Sequence, residues 1–259
     1  MATQAPQPPM NSAPINPGVP LKREWGVAFA ALRRLLANGD DTEQVFKIMR
    51  ALNGDVSQRN YAKLLSVPGG GRLAYRRLEL SQRLTDRNWI DSFAPGTLGA
   101  AYRDFLDSTG YSADGLVQVS MVEGGFQGIE VEHPYAWMGR RERDIHDLWH
   151  VLTGYQADEH LGELCLVAFS YAQTGGLGWG FIALGGALKS IRTTGRFDCV
   201  KAILEGYRHG KRARWLHGED YEKLLEEPLD AARARLGIAE PKRYKVAQAR
   251  LAAAGIGAL

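Results

Sequence analysis

Apolar residues recur at helical spacing along most of the chain. The first series follows steps of four, three and four and comprises Trp25, Phe29, Leu32 and Leu36. Such steps gather side chains on one face of a helix, and the turn residues from Asn38 onward would end it. The start of the folded chain is therefore predicted to be helical.

The same reasoning predicts helices along the rest of the sequence. They begin at Asp41 or Thr42 and continue at 57–65, 73–84, 97–107, 143–155, 197–214, 219–225 and 228–236. The segments 116–122 and 128–131 contain β-branched residues, but neither sustains the alternation of a strand. The glycine run 69–71 is predicted to be a loop, and no Gly-Lys-Ser/Thr follows it to make a phosphate-binding loop. The predicted fold class is an all-α helical bundle.

One folded domain is expected to cover most of the chain. The first twenty residues contain six prolines and neither Lys nor Arg, so residues 1–21 are predicted to form a disordered tail. No linker rich in Pro, Gly or Ser divides the remainder, so residues 22–259 are predicted to form a single domain.

Composition excludes several classes of protein. The 32 Lys and Arg against 29 Asp and Glu give a net charge of +3, which is too small to indicate nucleic-acid binding. Cys165 and Cys199 are too few for a disulfide framework or a thiolate zinc site, and they indicate a reducing compartment. The longest weakly polar stretch, 175–188, is shorter than the ~20 residues that a spanning helix needs, so only peripheral membrane contact is expected.

The candidate chemistry lies in the segment HDLWHVLTGYQADEHLGE, residues 146–163. On a helix, about 100° per residue brings His146, Asp147 and His150 to one side. Two imidazoles and a carboxylate suit zinc, and also Fe(II), Co(II) or Mn(II). If the next helix packs antiparallel after the polar turn, Glu163 returns to the level of the histidines and supplies a fourth ligand.

Simpler explanations of this pattern remain open. The pattern HDxxH alone also fits helix caps, salt bridges and buried polar pairs. Compared with the HExxH motif of zinc peptidases, the internal acid is one methylene shorter, so Asp147 is better interpreted as a ligand or a supporting group than as a peptidase base. A metal phosphohydrolase of the HD type would need an earlier histidine ligand, and His133 next to Pro134 is a poor one.

A glycine-rich, nearly apolar segment follows, AFSYAQTGGLGWGFIALGG at 168–186. The simpler interpretation is a tightly packed buried helix or a contact between two copies of the chain. The alternative is the wall of an apolar cavity for a long hydrocarbon such as a polyprenyl chain. The residues predicted to bind that lipid are Gln173, Trp179, Gly180, Phe181 and Leu184.

Three segments resemble the coenzyme Q biosynthesis protein 4 family, especially its bacterial members. They are FAPGTLGAAYRDFLDSTGY, then RERDIHDLWHVLTGY with LGE and AFSYAQTG after it, and GYRHGKRARWLHGEDYEKLLEEPLDAARARLGI. The resemblance covers roughly 68–238, and the HDxxH element followed by Glu is specific in that context.

The resemblance implies a function as well as a fold. It implies an all-helical, usually dimeric protein that binds a divalent metal, generally zinc, through the positions of His146, Asp147, His150 and Glu163. It also implies a lipid cavity, peripheral membrane contact and a place among other ubiquinone biosynthesis proteins. The activity attached to the family is oxidative decarboxylation of a polyprenylated 4-hydroxybenzoate-type ring, with molecular oxygen as co-substrate. An alternative makes the family a non-catalytic scaffold that binds prenyl lipid.

One departure from the family concerns the fourth ligand. The family pattern has eleven residues between the second histidine and the glutamate, whereas 12 lie between His150 and Glu163. The extra residue is expected to lengthen the exposed turn and leave Glu163 in register, with His160 as the rival ligand.

The implied reaction assigns roles to nearby charged residues. Asp147 and Arg143 are the predicted catalytic residues, and Arg143 or Arg141 is expected to pair with the substrate carboxylate through its planar guanidinium. Because Zn(II) cannot itself activate oxygen, either the electron-rich ring reacts with oxygen directly or the working metal is redox-active. The lack of an arginine-rich transit peptide favours a location in the bacterial cytoplasm, peripherally associated with the inner membrane.

Overall fold

The computed structural model describes residues 22–112 and 133–256, and within these ranges it contains helices and no strand. The predicted all-α class is therefore confirmed. The proposed tail 1–21 and the β-branched runs 116–122 and 128–131 lie outside the described residues.

The α-helices in the two described ranges are short to medium in length. In chain order they are α1 (Trp25–Ala37), α2 (Thr42–Leu52), α3 (Val56–Ser66), α4 (Gly70–Arg76), α5 (Leu80–Leu84), α6 (Arg87–Asp91), α7 (Leu98–Thr109), α8 (Pro134–Asp144), α9 (His146–Thr153), α10 (His160–Thr174), α11 (Leu177–Thr194), α12 (Asp198–Arg212), α13 (Tyr221–Leu224), α14 (Leu229–Leu236) and α15 (Lys242–Ala253).

Two predicted helices are each interrupted. The helix predicted over 73–84 was wrong, because Arg77 adopts a left-handed conformation with φ 44° and ends α4. Helix α4 also begins at Gly70, inside the glycine run 69–71 that was predicted to be a loop. The helix predicted over 143–155 is divided at Ile145, whose φ of −90° and ψ of −3° depart from helical values. Because this break precedes α9, the spacing within α9 is retained.

The helices that carry the site are anchored in the main hydrophobic core. Helix α10 is buried on nearly all sides and packs against α11 and α12, as expected for a helix that is apolar all round. Helix α9 buries Leu148, Trp149 and Leu152 in the same core. With these residues held in the core, the opposite side of α9 presents its polar residues in a fixed direction.

No helix among the described residues combines the length and the hydropathy needed to cross a lipid bilayer.

Candidate metal centre

Three potential ligands converge between α9 and α10. His146 and His150 lie one helical turn apart on α9, and Glu163 lies in the first turn of α10. One ligand atom from each residue falls within 4.8 Å of the other two. The distance from Glu163 Oε2 to His146 Nε2 is 3.6 Å, and that from Glu163 Oε1 to His150 Nε2 is 3.1 Å.

The hydrogen bonding of His150 supports a cation at this point. Its Nδ1 lies 2.8 Å from the carbonyl oxygen of Tyr155, which only accepts, so Nδ1 carries the proton. The buried Nε2 forms no hydrogen bond within the described part of the chain and lies 3.1 Å from Oε1 of Glu163. Two acceptors at this separation require a proton or a metal ion between them. The residues present therefore fit a divalent metal.

The same arrangement keeps the glutamate ionised. Loss of water around the carboxyl group opposes ionisation, but His150 and His146 hold the pKa of Glu163 well below its usual range. Burial lowers the pKa of His150, yet the facing Glu163 outweighs it and the pKa is raised overall. An anionic oxygen beside two imidazole nitrogens is the ligand set that zinc and related ions take.

Aromatic rings hold the two imidazoles in place. The ring of His146 stacks on Trp179 with centroids 6.1 Å apart, and Trp179 Nε1 donates to Glu142 Oε1 at 2.7 Å. On the other histidine, the ring of Phe105 stacks on His150 at 6.3 Å. Trp179, a predicted lipid-binding residue, thus contacts a candidate ligand directly.

Asp147 lies outside the group of atoms that fall within 4.8 Å of one another, and its predicted role as a ligand stays a prediction. It follows His146 by one position, about 100° around the helix. Burial raises the pKa of Asp147, and the neighbouring His146 and His150 oppose that change. Asp147 therefore interacts with the ligands electrostatically.

The predicted arginine and glutamine contacts are used elsewhere in the fold. The buried Arg141 donates from Nε to the carbonyl oxygen of His217 at 3.2 Å. Arg143 forms an ion pair with Asp144, with Nη2 and Oδ1 2.7 Å apart. Gln173 accepts from the backbone N–H of Leu216 and donates to the carbonyl oxygens of Gly210 and Arg214, at the end of α12 and just beyond it. None of these hydrogen bonds and ion pairs is made to a residue of the ligand group.

The remaining predicted lipid contacts lie on α11. Phe181 packs edge-on against Phe29 at 5.0 Å, Leu184 is 59% exposed, and Gly180 faces the ring of Tyr171. The lipid cavity therefore stays a prediction.

His160 lies apart from the ligand group. Its Nε2 is 3.6 Å from Asp40 Oδ1, and its ring packs against Gly39. Glu163 is instead the residue that meets the histidines, which is the register expected if the extra residue only lengthens the turn.

Sequence reasoning missed a buried pair behind Trp179. His217 is fully buried, its Nε2 lies 3.9 Å from Glu142 Oε2, and neither of its ring nitrogens has a hydrogen-bond partner in the described part of the chain. Burial raises the pKa of Glu142 to about 7, whereas burial, with Arg141 and Lys63, lowers the pKa of His217 to about 3. No local spacing could indicate this pair, because 75 positions separate the two residues along the chain.

The shifted pKa values of Glu142 and His217 make the stability of the fold depend on pH. Between pH 6.5 and 3 the unfolded chain protonates His217 and the folded chain does not, so acidification destabilises the fold. Between pH 7 and 4.5 Glu142 acts with the opposite sign, because the folded chain holds its proton more tightly. The contribution of His217 should therefore dominate below pH 4.5.

We expect His217→Phe to reduce this acid sensitivity, because phenylalanine keeps the ring and cannot titrate. From pH 4.5 to 3, the free energy of unfolding of the wild type should fall by ~2 kcal/mol more than that of the variant. Urea titrations at several pH values measure the free energy of unfolding of the wild type and of the variant. Equal slopes in the two proteins would contradict a buried neutral His217.

A glycine closes the turn between the ligands. A Cβ atom at Gly162 would lie 2.0 Å from the backbone oxygen of Gln156. We expect Gly162→Ala to lower the free energy of unfolding by ~1–3 kcal/mol, because the clash is with backbone and the turn must move. Gly71→Ala, where a Cβ meets nothing within 4 Å, is the control and should be neutral or stabilising by up to ~1 kcal/mol. Equal effects in thermal or urea unfolding would show that the turn is not tightly packed.

The fold and the site together define an all-helical protein with a candidate divalent-metal centre formed by two histidines and a glutamate. A family model described as Coenzyme Q (ubiquinone) biosynthesis protein Coq4 matches residues 22–242. Because the match spans most of the chain, the protein belongs to the Coq4 family, whose members function in ubiquinone biosynthesis.

Curated relatives agree with this assignment. The mitochondrial ubiquinone biosynthesis protein COQ4 homolog of Bos taurus is 29% identical, over 74% of this chain and 71% of its own length. That of Danio rerio is 30% identical over 67% of this chain and 61% of its own length. The mitochondrial ubiquinone biosynthesis protein COQ4 of Yarrowia lipolytica is 28% identical over 69% of this chain and 65% of its own length. The chain thus spans roughly two thirds of the length of these relatives.

A solved structure shows the same fold. A crystal structure from Nostoc punctiforme PCC 73102 superposes with a TM-score of 0.62 at 20% sequence identity, covering 85% of this chain and all of the other. At this identity the likeness concerns the fold alone.

The relatives also correct the predicted location. The sequence favoured the bacterial cytoplasm with peripheral contact to the inner membrane, because no arginine-rich transit peptide was recognised. The relatives from Bos taurus, Yarrowia lipolytica and Neurospora crassa are named as mitochondrial proteins, which contradicts that prediction.

Proposed function

We propose that this protein is a metal-dependent enzyme of ubiquinone biosynthesis that oxidatively decarboxylates a polyprenylated 4-hydroxybenzoate-type acid. The observation that carries the proposal is the convergence of His146, His150 and Glu163 within 4.8 Å, in a chain of the Coq4 family. The reaction replaces the carboxylate on ring carbon 1 by a hydroxyl group. The carboxyl carbon leaves as carbon dioxide, and water supplies the oxygen of the C–O bond that forms at ring carbon 1. Molecular oxygen accepts the two electrons and two protons released and leaves as hydrogen peroxide.

The three ligands would hold the ion in a partly open site. A bound divalent ion supplies Lewis acidity that stabilises negative charge on a phenolate or carboxylate, and Fe, Co or Mn, unlike Zn, would also supply redox chemistry. The His150 side chain is 1% exposed, that of His146 15% and that of Glu163 38%. Because Glu163 is the most accessible ligand, the substrate would approach from its side.

The surrounding residues keep the ligands in the required state. The Tyr155 carbonyl fixes the proton of His150 on Nδ1 and leaves Nε2 free to bind a cation. Trp179 and Phe105 cover the ring faces of the two histidines and exclude water from those faces. The burial that raises the pKa of Asp147 gives this carboxyl group, next to the ligands, the capacity to hold or release a proton near the site.

A second candidate function is a non-catalytic scaffold that binds prenyl lipid and other ubiquinone biosynthesis proteins. The observation that favours it is a group of exposed apolar residues on α1 and α11, including Trp25, Phe29 and Leu184. The same face would suit peripheral membrane contact or a homodimer.

The test is turnover by purified protein. Metal-depleted chain would be reconstituted separately with Zn²⁺, Fe²⁺, Co²⁺ or Mn²⁺ and mixed with a short-chain prenylated hydroxybenzoate and oxygen. We expect carbon dioxide and the hydroxylated ring to form over many turnovers with at least one metal, and no product without metal. His160→Ala is the matched control, since this histidine lies outside the ligand group.

The outcomes separate the two functions. Metal-dependent product formation that is lost in His150→Ala supports the enzyme. Tight binding of prenyl lipid without product, for every metal tested, would refute the enzyme and support the scaffold.

A further inference from the structure

We propose that Tyr244, on the C-terminal helix α15, is a positioning residue that sets the geometry of the metal ligands from outside the ligand group. The inference rests on the metal centre of the proposed function. The family match ends at residue 242, where α15 begins, so Tyr244 lies beyond the segment that identifies the family.

Tyr244 is bonded to the turn that connects the two ligand helices. Its hydroxyl group accepts from the backbone N–H of Gln156 at 3.1 Å and donates to the carboxylate of Glu159. Gln248, one turn later on α15, donates to the same hydroxyl at 3.3 Å and also to the Gln156 side chain. Every hydrogen-bonding position of the Tyr244 hydroxyl is therefore used by this turn and its neighbour.

Tyr244 is connected to His150 through Tyr155. The ring of Tyr244 packs edge-on against that of Tyr155, with centroids 5.2 Å apart, and both rings are buried. The carbonyl of Tyr155 accepts from His150 Nδ1 at 2.8 Å. By fixing Tyr155 and the following amide, Tyr244 fixes the group that decides which nitrogen of His150 faces the metal.

Tyr244 is connected to Glu163 through Glu159. Glu159 directly precedes α10, and its carbonyl oxygen accepts the backbone N–H of Glu163 at 3.1 Å. Anchoring Glu159 to Tyr244 therefore holds the first turn of α10, from which the Glu163 carboxylate extends toward the histidines.

Contacts with α12 hold helix α15, and with it Tyr244, in place. Glu205 of α12 accepts the backbone N–H groups of Arg243 at 2.8 Å and of Tyr244 at 3.2 Å, at the otherwise unpaired start of the helix. Arg250 adds an ion pair to Asp198 at the N-terminal end of α12, with 2.7 Å between nitrogen and oxygen. Tyr244 is thus presented by a docked helix.

The experiment compares metal affinity in three full-length proteins. Tyr244→Phe removes the hydroxyl group but keeps the ring against Tyr155, so the variant should fold. Arg250→Ala is the control, because it removes an exposed ion pair of the same helix and leaves the Glu205 contacts and the turn in place. Co²⁺ affinity would be measured by competition with a chelator, the coordination by the visible absorption of bound Co²⁺, and folding by thermal unfolding.

We expect Tyr244→Phe to weaken Co²⁺ binding ~10-fold and to change the visible spectrum, as loss of an outer partner of a ligand does. Arg250→Ala should match the wild type in both readouts. Wild-type affinity and spectrum in Tyr244→Phe would overturn the inference, as would an equal loss in Arg250→Ala. If the wild-type chain binds no Co²⁺, the metal centre itself is refuted, and this inference falls with the proposed function.

Discussion

Replacing both His146 and His150 with alanine should abolish metal retention and leave the chain folded. The two imidazoles are the nitrogen donors of the ligand group, and Glu163 alone would hold a divalent ion only weakly. Alanine favours the helix at both positions, and α9 keeps its core contacts through Leu148 and Leu152.

Elemental analysis of the purified proteins measures this result, with circular dichroism as the check on folding. The wild type should carry about one divalent ion per chain, and the double variant none, because ligand groups contribute the binding free energy jointly. Full metal content in a folded double variant would show that the ion binds elsewhere.

The second large effect is expected at Glu163. Glu163→Gln keeps the size of the side chain but removes the charge that the two histidines stabilise, so metal affinity should fall by ~10- to 100-fold or more. A competition titration with a chelator measures the change. The outcome also decides whether the longer turn leaves the glutamate in register.

His160→Ala is the matched control for this substitution. His160 begins α10 only three positions before Glu163, yet it contacts Gly39 and Asp40, so its loss should leave metal affinity nearly unchanged. If His160→Ala releases the metal and Glu163→Gln retains it, the fourth ligand has shifted within the turn and the assignment of Glu163 is wrong.

The sequence predicted those parts of the site that depend on local periodicity. His146 and His150 share one helix, so their spacing alone brings them together, and the break at Ile145 does not disturb it. Glu163 required only a short turn and a second helix that returns beside the first. The same reasoning placed Asp147 among the ligands, and that assignment stays a prediction, because neighbours on a helix differ by about 100° and need not meet at one point.

Residues that act across long separations left no signal in the sequence. The buried Glu142 and His217 meet through tertiary packing, and the single helical residue Tyr244 gives no indication that it contacts the turn at Gln156. Helix α15 was missed altogether, although Tyr244 and Ala247 form its buried stripe. An apolar run likewise fits close packing and a lipid cavity equally well, because both need the same residue types.

The most direct test of the account is anomalous diffraction from crystals of the full chain grown with Zn²⁺ and measured at the zinc absorption edge. The account predicts one strong peak between the Nε2 atoms of His146 and His150 and the carboxylate of Glu163, at about 2.0–2.2 Å from each donor. A peak at His160 and Asp40, or at His217 and Glu142, with none between the three proposed ligands, would contradict it.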